Sequence, residues 1–267
     1  MSKLQNIDYD SIFPYEKFSN LGKEAHDAYV SAVPFPHCYF DNLFDETVLD
    51  QVINEFEGSK SWREFDSKYE KKFQMIDDRQ MGPITRTLIH HLNSAPFLRF
   101  LGDLTGINGL IPDPHLSGGG LHQIPRGGKL GIHVDINYVR KINAYRRVNV
   151  LLYLNKDWKK EYGGYLELWK DKLGSEKVKI NPCFNRMAVF STVSNSYHGH
   201  PEPLNCPPDC FRRSLALYYY TAGDKGGQRS GEHSTIFVSN EGKEEELGKP
   251  TVIRRIKDKI KQVVKLN

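Results

Sequence analysis

The stretch Leu130-Gly131-Ile132-His133-Val134-Asp135, between the turn Pro125-Arg126-Gly127-Gly128 and a loop starting at Ile136, decides how the rest of the chain reads. Successive side chains along a strand point to opposite faces, so His133 and Asp135 project to one side while Ile132 and Val134 face the other. One imidazole and one carboxylate then stand side by side, as a metal site requires. A His-x-Asp pair alone is weak evidence, since any strand can carry a polar face, and the pattern calls for a third ligand.

Outward from this pair, short apolar runs separated by turn residues fill the chain from Leu116. Residues 121–124 and 130–135 flank the first turn. Runs 148–154 and 165–169 flank a loop ending in Gly163-Gly164, and runs 187–191 and 214–220 follow. So many short strands predict a sandwich or barrel of the jelly-roll type. The N-terminal part reads as helix: Val48, Val52, Ile53 and Phe56 recur at helical spacing behind the cap candidates Asn42 and Asp45, a second helix covers 84–92, and a third follows Ser94 with Pro96 in its first turn. Residues 58–80, charged and aromatic without clear period, read as a surface excursion or lid. The expected architecture is α+β, mainly β, in one domain. It comprises a helical layer with the first strands over 1–115, a β core over 116–222, and an extension with a basic amphipathic helix over 223–267.

Composition narrows the class. A chain of 267 residues with 39% apolar residues can bury a full core. Four cysteines, Cys38, Cys183, Cys206 and Cys210, are too few for a disulfide scaffold and read as reduced thiols. Residues 1–10 are polar, and no run approaches the roughly eighteen apolar residues a spanning helix needs, so a cytoplasmic protein without a membrane span is expected. The net charge of +4 is concentrated in the tail, where 249–267 hold seven basic residues against one acid. No nucleic-acid surface is expected. The tail's stripe, Val252, Ile256, Ile260 and Val263, lacks the Trp, Phe or Leu anchors of interfacial helices. It is expected to dock on the helical layer, with peripheral contact to an anionic surface as the alternative.

Downstream, Ser196-Tyr197-His198-Gly199-His200-Pro201 offers two histidines for the third ligand position. Two imidazoles and a carboxylate on one face of iron(II) leave the other open for a bidentate ligand and dioxygen. The plainer alternative is that these histidines steady the proline-rich turn that follows. Further on, Arg212-Arg213-Ser214-Leu215-Ala216-Leu217-Tyr218-Tyr219-Tyr220 reads as a strand on which Arg212 and Ser214 share a face. An inward arginine on an apolar strand is costly unless it meets an anion, and its planar fork suits a carboxylate. Beside an iron site it suggests a dicarboxylate co-substrate, with a solvated strand-end arginine as the alternative.

The order His133-x-Asp135, His198, Arg212-x-Ser214 resembles the Fe(II)/2-oxoglutarate-dependent dioxygenase superfamily, in its prolyl 4-hydroxylase-like branch. The runs Val150-Leu151-Leu152-Tyr153-Leu154-Asn155-Lys156-Asp157-Trp158 and Gly163-Gly164-Tyr165-Leu166-Glu167-Leu168 are similar to those of the hypoxia-sensing prolyl hydroxylases. Residues 34–56 resemble the first strand and helix of bacterial and phage members. The resemblance implies a double-stranded β-helix (jelly-roll or cupin-like) core with helices packed outside. It implies Fe(II) on His133, Asp135 and His198, with His198 preferred to His200, and 2-oxoglutarate held by Arg212. Tyr153 and Ser214 match further co-substrate contacts, and Gln123 stands where some relatives have a tyrosine. Dioxygen, and ascorbate as an optional reductant, complete the set of cofactors.

The function implied is hydroxylation of an unactivated C–H bond with release of succinate and CO2. The substrate implied is a prolyl residue in a peptide, or free proline or another amino acid. Hydroxylation of another small molecule, a zinc hydrolase, and a non-catalytic jelly-roll binding module are the alternatives. Residues 136–146, with Tyr138, Arg140, Lys141 and Tyr145, are expected to border the open face of the site. No oligomeric state can be read.

Overall fold

A computed structural model describes residues 12–223 and 232–247. The predicted basic helix, and with it the question of membrane contact, lies outside these residues.

Among the described residues, four α-helices form one layer. Helix α1 (Tyr15–Ser31) packs along α4 (Ala95–Thr105), and Gly22 permits the approach, because a Cβ there would lie 2.5 Å from the Phe100 carbonyl oxygen. Helix α2 (Glu46–Gly58) starts at the expected Asp45, whose carboxylate accepts from Thr47 N and Val48 N at 2.8 and 3.3 Å. Asn42, the other candidate, instead takes a left-handed turn at φ 58°. Helix α3 (Pro83–Leu92) has no capping side chain of its own. Glu55 of α2 serves from across the interface, accepting from Ile84 N (3.0 Å), Thr85 N (2.7 Å) and Thr85 Oγ1 (2.6 Å). Ser94 precedes α4 as predicted, but its hydroxyl donates back to the His91 carbonyl. Among the described residues no helix is long and apolar enough to cross a membrane, and all four cysteines are free.

The strands form a wholly antiparallel sheet that folds back on itself. Its first half runs in the order β1 (His37–Asp41), β11 (Arg186–Ser191), β8 (Ala144–Tyr153), β13 (Phe211–Thr221), β5 (Gly120–Pro125), β3 (Glu70–Met75). The second half continues as β6 (Lys129–Val134), β12 (Tyr197–His200), β9 (Leu166–Trp169), β10 (Lys177–Ile180), with β3 joining the halves through Glu70 opposite Leu130. This is the predicted double-stranded β-helix architecture. Strand alternation gives the first half two faces. Val148, Val150, Leu152, Leu215, Leu217 and Tyr219 meet the helices in the main core, while Asn149, Leu151, Arg212 and Ser214 look into the space between the halves.

The segment 58–80, expected as an excursion, is a hairpin of β2 (Arg63–Asp66) and β3 that is built into the sheet. A second hairpin, β14 (Ile236–Val238) with β15 (Glu244–Glu246), pairs through β14 with β6. Short strands β4 (Ile111–Pro112) and β7 (Tyr138–Val139) complete the sheet on β13 and β8.

Because Glu55 satisfies donors that α3 leaves unpaired, Glu55→Ala should lower the unfolding free energy by about 1–3 kcal/mol in urea titrations. An unchanged midpoint would show that water replaces this cap without cost.

Candidate active site

Between the two halves of the sheet lies a cavity of about 430 Å³. Strand β6 carries His133, Asp135 follows its end, and β12 brings His198 directly opposite His133. His133, Asp135 and His198 are 6%, 8% and 5% exposed, and one potential ligand atom from each lies within 4.8 Å of the others. The carboxylate stands 3.6 Å from His133 Nε2 and 3.2 Å from His198 Nε2.

The orientation of each imidazole is fixed from behind. His133 Nδ1 donates to the Gly131 carbonyl at 2.9 Å and His198 Nδ1 to the Ser196 carbonyl at 2.8 Å. A carbonyl can only accept, so the proton is on Nδ1 and the Nε2 lone pairs turn toward the shared centre. Burial, reinforced by His198, pushes the His133 imidazole below its ordinary range and favours this neutral form. Burial alone would raise the Asp135 carboxyl. The Arg146 charge and the two imidazoles outweigh it and hold the group well below the usual carboxylate range.

Arg146 was not foreseen. Its Nη2 reaches Asp135 Oδ2 at 2.9 Å, its Nε donates to Asn149 Oδ1 at 2.9 Å, and Asn149 Nδ2 donates to the same Asp135 oxygen at 2.8 Å. The guanidinium also lies 3.3 Å over the Tyr218 ring. Counting back by twos from Val150 sends Arg146 toward the helices. A bulge reverses this, because Val148 and Arg146 oppose the consecutive Tyr219 and Tyr220, leaving Arg147 as the extra residue.

Farther in, Arg212 is 4% exposed. Its Nε donates to the Gly164 carbonyl at 2.7 Å and its Nη2 to Tyr153 Oη at 3.3 Å. A Cβ on Gly164 would come within 2.9 Å of Arg212 Cδ, so a glycine lets the side chain pass. Among the described residues no carboxylate pairs with Arg212. Arg213 points the other way and pairs with Glu57 at 3.1 Å, as the phase predicted. Ser214 lines the cavity, whereas Tyr153 lies behind Arg212, its ring 4.9 Å from the guanidinium carbon, and supports it.

Gln123 is a correction. It pairs with Arg213 and Phe73 on the outer face, and the residues that turn inward from β5 are its neighbours His122 and Ile124. Burial, then the Lys72 charge, brings the His122 imidazole down to about 3. His200, left open by the sequence, also lines the cavity, and burial followed by the Arg212 charge holds it well below the histidine range.

The loop after Asp135 borders the cavity as expected, but not through the side chains singled out in it. Tyr138 and Tyr145 pack against each other at a tilt, ring centroids 4.8 Å apart, and Arg140 pairs with Glu232, while Ile136, Val139 and Arg146 face the cavity. The rest of the rim comes from the two hairpins, with Arg63, Phe65 and Lys72 on one and Thr235 and Phe237 beside or on the other. They meet where Tyr69 stacks on Phe237 at 4.6 Å and where Tyr69 Oη and Lys68 Nζ reach Glu245 at 2.7 and 2.5 Å.

Comparison with known proteins agrees with this geometry. A prolyl 3,4-dihydroxylase of Ostreococcus tauri is 25% identical over 212 residues, covering 72% of this chain and 39% of that protein, so the chain spans about two fifths of this curated relative. Two solved structures share the fold. A prolyl hydroxylase of Trichoplax adhaerens, in complex with a hypoxia-inducible-factor peptide, is 22% identical with a TM-score of 0.51, covering 78% of this chain and 90% of its own. A prolyl 4-hydroxylase of Phytophthora capsici is 21% identical with a TM-score of 0.54, covering 83% and 68%. A family model described as the 2OG-Fe(II) oxygenase superfamily matches residues 119–220, the span that holds His133, Asp135, His198 and Arg212, and over that span the chain is similar to the 2OG-Fe(II) oxygenase superfamily.

Proposed function

We propose that the chain is an Fe(II)- and 2-oxoglutarate-dependent dioxygenase that hydroxylates an unactivated C–H bond. The observation that carries this reading is the presence in one buried cavity of two imidazoles and a carboxylate, with an arginine that no carboxylate of the described residues pairs. The donor set suits Fe(II): both imidazoles are held as Nδ1–H tautomers with Nε2 available, and the carboxylate is kept ionised. In this reading His133, Asp135 and His198 hold the metal, and Arg212 takes the far carboxylate of 2-oxoglutarate beside Ser214, with Tyr153 steadying the guanidinium. Zinc hydrolysis would leave Arg212 without a purpose.

When bound, Fe(II) supplies the open coordination positions and electrons with which dioxygen and 2-oxoglutarate yield succinate, CO2 and a hydroxylated product. The protein's own contribution is placement and exclusion of water. Phe190, Leu151 and Leu166 give the cavity apolar walls, and Arg146 and Asn149 keep Asp135 in one orientation. A prolyl residue of a peptide is our reading of the substrate, supported by the prolyl hydroxylases among the relatives and by a rim that includes Arg63, Phe65 and Lys72. Free proline is the smaller alternative. A reducing, cytoplasmic setting belongs to the same reading and suits four free thiols.

The direct test is succinate formation with Fe(II), 2-oxoglutarate and proline-containing peptides. Uptake of oxygen without hydroxylated peptide would remove the substrate assignment. No Fe(II)-dependent succinate from any candidate, with no binding of 2-oxoglutarate, would remove the enzyme assignment.

Arg212→Ala should weaken 2-oxoglutarate binding by on the order of 30-fold or more, because it removes a buried charge-assisted contact, whereas Arg213→Ala should change it by no more than about twofold. Titration of the metal charge-transfer absorption reads both, and equal losses would place the anchor elsewhere.

Arg146→Met should destabilise the metal-free protein by about 3–5 kcal/mol, since it leaves the Asp135 charge buried without its partner. A divalent cation supplies the missing counter-charge, so saturating Mn(II) should raise the melting temperature of the variant more than that of the wild type. Equal increments would show that Arg146 does not serve Asp135.

A further inference from the structure

Of the four histidines that line the cavity, three have hydrogen-bond partners among the described residues and one does not. His133 and His198 are tied through Nδ1 to the Gly131 and Ser196 carbonyls, and His122 Nε2 lies 3.1 Å from Gln74 Nε2. His200 is 3% exposed, and both its Nδ1 and its Nε2 are buried without a partner. A buried ring N–H with nothing to donate to is costly, so such a group is retained where a ligand completes it.

The backbone places this ring deliberately. Two residues of β6, Gly131 and Ile132, fall between the partners of His198 and His200, and the single Gly199 stands against them. A Cβ on Gly199 would lie 2.7 Å from the Gly131 oxygen and 2.8 Å from the Leu130 oxygen, so the bulge requires glycine. Beyond it His200 enters the cavity with Arg212, Ser214 and His122, and it also lines an adjoining hollow with Gly164, whose carbonyl accepts from Arg212 Nε. A cation and an unpartnered N–H donor at one buried corner are satisfied together by an anion.

We propose that His200 is a second anchor for the far carboxylate of the 2-oxo dicarboxylate, donating a ring N–H to the group that Arg212 takes. This rests on the function proposed above and adds to it a residue that selects between dicarboxylates and 2-oxo acids of equal length that end in a methyl group. His200 acts on the end of the molecule away from the metal, so its effect belongs to that carboxylate alone.

The test uses the full chain with Fe(II) under nitrogen, titrated with 2-oxoglutarate and with 2-oxopentanoate, which offers the same chelating end and no far carboxylate. Charge-transfer absorption gives both dissociation constants without turnover. His200→Leu should weaken 2-oxoglutarate roughly 10- to 100-fold, as expected for a hydrogen bond to a charged group, and leave 2-oxopentanoate within about twofold. His200→Gln, which keeps an N–H donor, should recover most of the loss. In the Zn(II)-loaded wild type, a histidine ring N–H resonance should become protected with 2-oxoglutarate and not with 2-oxopentanoate, which needs no variant to fold. Equal weakening of both acids, an unchanged 2-oxoglutarate constant because only water meets His200, or no protected resonance overturns the assignment. Failure of the wild type to bind either acid overturns the dioxygenase reading itself, and the role of His200 with it.

Discussion

The site depends on keeping a carboxylate ionised inside an apolar barrel. Asp135 is buried, and its charge is tolerated because Arg146 and Asn149 both donate to Oδ2, which His198 also approaches, leaving Oδ1 toward His133. A buried ion pair repays its desolvation only where geometry and additional hydrogen bonds are good. Here the Arg146 side chain is further held by Asn149 Oδ1 and by the Tyr218 ring. The bulge in β8 is the backbone's part of the arrangement. Without it Arg146 would face the helical core, where Val148 and Leu152 already fill the space.

The charges at the two ends of the cavity are treated in opposite ways. Asp135 has its cation within the protein, so a metal added there meets a neutralised, preorganised ligand. Arg212 has a carbonyl and a phenol around it but no acid among the described residues, so its positive charge is left for something that comes from outside. Arg212, and the Arg146 and Asn149 that hold Asp135, are positioned by strands whose outer faces pack on the helices. The precision of the site is inherited from that core, including Gly22 between α1 and α4 and Glu55 on α3.

Much of this was legible because strands have a period of two. His133 with Asp135, and Arg212 with Ser214, follow from alternation alone, as does the outward Arg213, and Asp45 is a cap by residue type. What could not be read were the places where the period breaks. One extra residue, Arg147, turns Arg146 inward. On β5, Gln123 came from the resemblance and not from alternation against a partner strand, whereas His122 and Ile124 are the residues that turn inward. Residues 63–75 lack a clear pattern because they lie over a rim rather than a core, and Glu70, Lys72 and Gln74 face a polar cavity mouth. The tyrosines and basic residues of the loop after Asp135 were prominent by composition, yet Tyr138 and Tyr145 satisfy each other. Such local pairing has no signature in a linear pattern.

The rim is the least local part of the molecule. Lys68 and Tyr69 meet Glu245 across 177 and 176 residues of chain, and β14 reaches back to a strand made about a hundred residues earlier. Contacts of such separation carry the largest loop-closure cost. The mouth is therefore completed by a segment made after the metal-binding candidates and Arg212, and it ties two edges of the cavity together across most of the described chain.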